Sequence, residues 1–191
     1  MKNSEPWGKI KKFILIAFLV IVSRLYDVFT TYLYIPDLEG ETNILVKFFG
    51  AGWTTVIIFQ SLLVGLTVFL LFFYYFKFKP DYPTEKGLSL KQFASYLYFN
   101  NTYSFNKLFY KTPNNKGTFF ASIGYVVSMT LFAVGFMVGT STTLLILSDT
   151  YKQLYKNGIF YLLFAFMGII AIWFYYRFFQ IEYRKYNSNN S

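Results

Sequence analysis

Four long apolar stretches, near 13–35, 53–76, 117–147 and 158–179, leave this chain few ways to fold. Each is long enough to cross the roughly 30 Å hydrocarbon core of a bilayer, which takes about 20 mostly apolar residues in a helix. Lipid offers no partner to a free backbone N–H or C=O, so each stretch predicts an α-helix that satisfies its own backbone. The third is too long for a perpendicular crossing at about 1.5 Å per residue, so it must tilt or protrude at one end. Lys9, Lys11 and Lys12 ahead of the first stretch imitate the start of a secretory signal. No small-x-small cleavage site follows, and the apolar run continues through Tyr32 and Leu33, which predicts a retained anchor.

The expected fold class is therefore all-α, a single four-helix transmembrane bundle. Composition supports it, because 55% of the residues are hydrophobic and only 14% charged, against about 25% charged in a soluble domain. The formal charge of +9 would suit nucleic acid on a soluble protein. Here the basic residues lie between apolar runs rather than on one helix face, so no nucleic-acid partner is expected. Alternating the four spans puts fourteen Lys and Arg with four acids on one side, and three Lys with four acids on the other. The positive-inside rule then predicts that both termini are cytoplasmic. Trp7 and Trp173 fall at the inner interface and Trp53 at the outer one, where amphipathic rings prefer to sit. Abundant Lys, Asn, Phe and Tyr suit an AT-rich bacterial genome, so the expected location is a bacterial inner membrane.

Between spans two and three, segment 77–116 opens with the turn-like Pro80-Asp81-Tyr82-Pro83. Leu90, Phe93, Ala94, Leu97 and Tyr98 then recur at helical spacing. Two readings stand side by side. One is a helix lying in the cytoplasmic interface, with Lys77, Lys79, Lys91, Lys107 and Lys111 toward lipid headgroups. The other is a loop helix packed under the bundle. The polar residues 187–191 predict a disordered tail.

The chain contains no His and no Cys. That excludes haem and iron–sulfur ligation, structural zinc, thiol nucleophiles and His-based catalytic pairs, and no cofactor is expected. Any site depends on carboxylate, amide and hydroxyl groups, with Lys or Arg. Arg24 and Asp27 are the two ionisable residues deep in a span, and such groups are functional candidates. Their i, i+3 spacing equally allows a structural ion pair. Thr31 and Tyr34 continue the polar stripe outward, toward the loop Pro36-Asp37-Leu38-Glu39-Gly40-Glu41-Thr42-Asn43. Glu41 and Asn43 above that stripe suggest a site for a cation or an amine, since hard cations take oxygen ligands.

Asp27-Val28-Phe29-Thr30-Thr31, followed by Gly40-Glu41-Thr42-Asn43, resembles the signature of an uncharacterised prokaryotic family of small integral membrane proteins. That signature is Asp-x-x-Thr in a membrane helix, then Gly-x-Glu-x-Asn-Pro, and Ile44 stands here where the pattern has Pro. The resemblance covers the first third of the chain. It implies that Asp27, Thr30 or Thr31, Glu41 and Asn43 are the signature positions, and it implies no activity.

In the third span Gly124, Ser128, Gly135 and Gly139 recur at helical spacing and predict close helix packing, and the last two make a small-x-x-x-small element available to a homodimer. Asp149 and a hydroxyl of the Thr140-Ser141-Thr142-Thr143 cluster are expected to join Asp27, Glu41 and Asn43 in one outward-facing pocket, if this end of the helix meets the first one. Gln60 and Ser61 are read as cross-links between helices. Three functions compete. The first is a non-catalytic scaffold or accessory subunit bound to other membrane proteins. The second is a small dimeric transporter or cation- and amine-binding protein. The third is a carboxylate–metal enzyme acting on lipid, for which no paired-carboxylate element is found.

Overall fold

The computed structural model describes residues 5–38, 46, 50–103 and 105–190, and no strand occurs among them. Helix α1 spans Glu5–Tyr34, α2 Trp53–Phe72, α3 Leu90–Phe99, α4 Lys116–Leu147, α5 Asp149–Leu154 and α6 Phe160–Asn190. Short π-helical turns, Phe73–Lys77 and Tyr155–Ile159, extend α2 and join α5 to α6. Four helical stretches, Trp7–Tyr34, Trp53–Lys77, Lys116–Leu147 and Asp149–Ser188, are long and apolar enough to cross a membrane. They correspond to the four expected spans. The chain is thus a multi-pass helical protein by length and composition.

Helix α4 is the hub, contacting α1, α2 and α6, with its longest interface against α1. Small residues make this possible. A Cβ on Gly124 would fall on the backbone carbonyl of Leu70, and one on Gly135 would come within 2.8 Å of Ser23 Oγ. At Gly139 the obstacle is the ring of Tyr26. The small-x-x-x-small element expected to serve a dimer is therefore consumed inside the chain, against α1. Hydroxyls complete the seams: Tyr26 of α1 and Thr143 share a 2.8 Å hydrogen bond, and Ser128 reaches the Thr67 carbonyl of α2 at 3.5 Å.

At the lysine-rich end a second core forms. Ser89 caps α3 in a capping box with Gln92, and Asn100, in the left-handed conformation, ends it. Phe93, Leu97 and Tyr98 are buried together with Tyr125, Phe178 and Tyr186. The apolar face of α3 is thus covered by protein, the 105–109 turn together with α4 and α6, and Lys91 is left exposed. Helix α6 continues through Asn190 and takes in residues 187–190 of the polar tail. The polar end extends a helix already anchored by Tyr186, which is 1% exposed.

Candidate functional site

Helices α1, α2, α4 and the start of α6 line an open-sided cavity of about 1050 Å³. This is at the upper limit of small-molecule sites, about 300–1,000 Å³. Its polar wall comes from α1, where Arg24, Asp27 and Thr31 share one helix face, with Gln60 of α2 and Ser141 and Thr142 of α4. The opposite wall is apolar, made by Phe160, Leu163, Phe164 and Met167 of α6. Pro36, Asp37 and Trp53 stand at the end next to the 35–38 turn, where the Trp53 indole donates to Pro36 O at 2.7 Å.

Arg24 and Asp27 form an ion pair at 2.8 Å, and both side chains are nearly buried, at 12% and 11% exposure. The same guanidinium nitrogen donates to Gln60 Oε1 at 3.2 Å, so Gln60 cross-links α1 to α2 and belongs to the site. The Arg24 Nε–H is buried with no protein partner. A buried donor left unpaired costs about 1–3 kcal/mol, and here it lies in a side chain that lines a cavity. Thr30, one position from the wall, donates instead to the Tyr26 and Asp27 carbonyls, so of the two signature threonines it is Thr31 that faces the cavity.

Toward the start of α1 the helices pack closely beneath the cavity. Val20 and Ser23 are fully buried, and Phe13 meets Phe76 edge-on with centroids 5.4 Å apart. The cavity is therefore a site confined to one half of the bundle.

The sequence reading and the structure differ at Asp149. Ser148, with extended backbone, ends α4 and caps α5 by accepting from the Tyr151 N–H. Asp149 then lies in the first turn of α5, its side chain 91% exposed and paired at 2.8 Å with Lys152. Ser141 and Thr142, about two turns earlier in α4, line the cavity instead, with Ser141 hydrogen-bonded to the Tyr151 hydroxyl at 2.8 Å. Glu41 and Asn43 lie outside the described residues. Of the lysines read as headgroup contacts, Lys77, Lys79, Lys91 and Lys111 are exposed and Lys107 is half-buried.

One buried charge escaped the sequence reading. Glu182 of α6 has 0% exposure, accepts hydrogen bonds from Tyr74 at 3.1 Å and Tyr82 at 2.9 Å, and pairs with Lys185 at 2.6 Å. Burial, together with this carboxylate, pushes the Tyr82 phenol well above its ordinary value, so Tyr82 stays a donor at any physiological pH. Lys185 also sits over the Tyr74 ring, 5.5 Å from its centroid. The periodicity of α6 was the available signal, since Glu182 follows Phe178 by four positions and shares its buried face.

Among the described residues no group of three or more acidic side chains could hold a metal ion. Comparison of the chain with protein-family models, with curated proteins and with solved structures finds no match. The functional reading therefore rests on the cavity.

Proposed function

We propose that the chain is a multi-pass protein of a bacterial inner membrane, with both termini in the cytoplasm, that binds an amphipathic amine in the outward half of its bundle. The observation that carries this reading is the two-sided cavity, with an ion pair and hydroxyls on one wall and aromatic and aliphatic side chains on the other. Such a lining fits a molecule with a polar head and a short apolar tail. An ammonium head suits Asp27 at depth and Asp37 at the mouth, followed in sequence by Glu39 and Glu41. The head would share Asp27 with Arg24, whose remaining N–H groups can turn to a hydroxyl or a water.

The accessory-subunit reading rests on the exposed apolar faces of α1, α2 and α6, among them Phe18, Leu62 and Ile172. Lipid covers such faces as well as a partner does, and they leave the cavity unexplained. Thermal unfolding of the purified chain in a neutral detergent separates the two readings. Octylamine is expected to raise the midpoint where octanoate and octanol at equal concentration do not. The Asp27→Asn, Arg24→Gln double variant, which leaves no orphan charge, is expected to bind octylamine at least tenfold more weakly, about 1.4 kcal/mol. Equal shifts from all three amphiphiles, or none, would remove the amine reading and restore the accessory subunit.

A further inference from the structure

A second groove, of 410 Å³, lies at the opposite, lysine-rich end of the molecule and belongs to no part of the proposed amine site. We infer that it holds one acyl chain of an anionic phospholipid, with the phosphate at Lys111. Its floor runs along the first turns of α4 through Ile123, Val126 and Val127, and its mouth is formed by Lys111, Thr112 and Pro113.

The floor asks for an apolar occupant. Ser122 and Tyr98, the two hydroxyl residues deepest among the lining, are hydrogen-bonded to each other. Burial holds the Tyr98 phenol well above its ordinary value, so it carries no charge into the groove. The mouth asks for an anion. None of Lys107, Lys111 and Lys116 forms an ion pair among the described residues, and no carboxylate lines the groove. Lys116, five positions after Lys111, opens α4, where the helix dipole adds positive potential. Polybasic segments gain about 1 kcal/mol per Lys or Arg near an anionic surface.

The mouth is also held in place. Asn114 and Asn115 both donate backbone N–H groups to Tyr98 O, at 2.9 and 3.1 Å, which ties the loop to the end of α3. A groove with charge at a fixed rim and methyl groups along its floor matches the polarity gradient of a phospholipid from phosphate to chain. A soluble anion would use the rim and leave the floor empty.

Native mass spectrometry of the full chain, released from detergent with dioleoyl phosphatidylglycerol or dioleoyl phosphatidylcholine, tests this. Phosphatidylglycerol is expected to be retained about tenfold more tightly. Charge reversal by Lys111→Glu with Lys116→Glu, both exposed positions, is expected to erase the preference. Filling the floor with Val127→Phe is expected to abolish retention although every lysine remains. The inference is overturned if the two lipids bind equally. It is also overturned if Lys77→Glu with Lys79→Glu, outside the groove, erases the preference as fully, or if Val127→Phe, eluting as a folded species, retains the lipid like the wild type.

Discussion

Gly124→Ala is expected to destabilise the bundle more than any other single methyl group added to the chain. An alanine Cβ at this position would overlap the carbonyl carbon and oxygen of Leu70, which are backbone atoms of α2 and cannot rotate away. The helices must separate, and the 3.5 Å contact from Ser128 to the Thr67 carbonyl one turn further along is lost with them. Overpacking of this kind costs about 1–3 kcal/mol and occasionally more. Other glycines grade the effect. At Gly135 the neighbours are the side chain and carbonyl of Ser23 at 2.8–3.0 Å, so a smaller shift suffices. At Gly139 the Tyr26 ring can tilt, limited by its hydrogen bond to Thr143. Gly168 on α6 has no atom within 4 Å of the added position, and alanine there should be neutral or slightly stabilising. Thermal unfolding in detergent of the four variants should follow the order Gly124, Gly135, Gly139, Gly168. Equal midpoints for Gly124→Ala and Gly168→Ala would show that α2 and α4 do not approach this closely.

Spans and packing were legible in the sequence to different depths. Apolar length alone finds the four spans, because lipid imposes the same length on every crossing. The start of α4 is read to within one residue, since the apolar run begins beside the Asn115 cap. Helix α1 begins at Glu5, upstream of the apolar run, because its lysine-bearing first turns remain helical. At the site, the i, i+3 spacing of Arg24 and Asp27 was enough to expect their pairing, and Thr31 followed from the same stripe. Of the neighbours facing that stripe, the hydroxyl cluster at the end of α4 was readable and the place of Asp149 was not. Ser141 and Thr142 line the cavity and Asp149 does not, because Asp149 lies beyond the Ser148 cap in the first turn of α5, with its side chain in solvent and paired with Lys152. The glycine spacing announced close packing but not the partner, since a small-residue stripe serves an internal helix and a second copy equally.

The two ends of the molecule handle buried charge differently. In the cavity the Arg24–Asp27 pair keeps one N–H unsatisfied and borders open space. Around Glu182, hydroxyl and ammonium donors converge on the carboxylate, and aromatic rings such as those of Tyr74, Phe178 and Tyr186 fill the surroundings. A fully satisfied polar cluster fixes geometry, whereas a partly satisfied one beside a cavity is suited to exchange partners. This contrast sets the cavity end apart from an end that the buried carboxylate fastens.

Removing the fastening carboxylate should therefore show in stability rather than in amine binding. Glu182→Ala leaves the Tyr74 and Tyr82 hydroxyls without their acceptor, and opens a void among packed rings. Tyr74 is 7% exposed, so water does not replace the lost partner there at no cost. An orphaned buried hydroxyl costs about 1–3 kcal/mol. Lys185, half exposed, recovers solvation and adds little. A total loss near 3 kcal/mol is expected, with trypsin cutting at Lys86 and Lys91 at least tenfold faster as the segment carrying α3 loosens. Glu182→Gln keeps the shape and one carbonyl acceptor, and should lose far less. The sharper test is the triple variant Glu182→Leu, Tyr74→Phe, Tyr82→Phe, which removes acceptor and donors together. Replacing both sides of a buried hydrogen bond with apolar groups of similar shape is nearly neutral, so the triple variant should recover most of the stability lost by Glu182→Ala. If it is no more stable than the single variant, packing volume and not the buried carboxylate holds this end together.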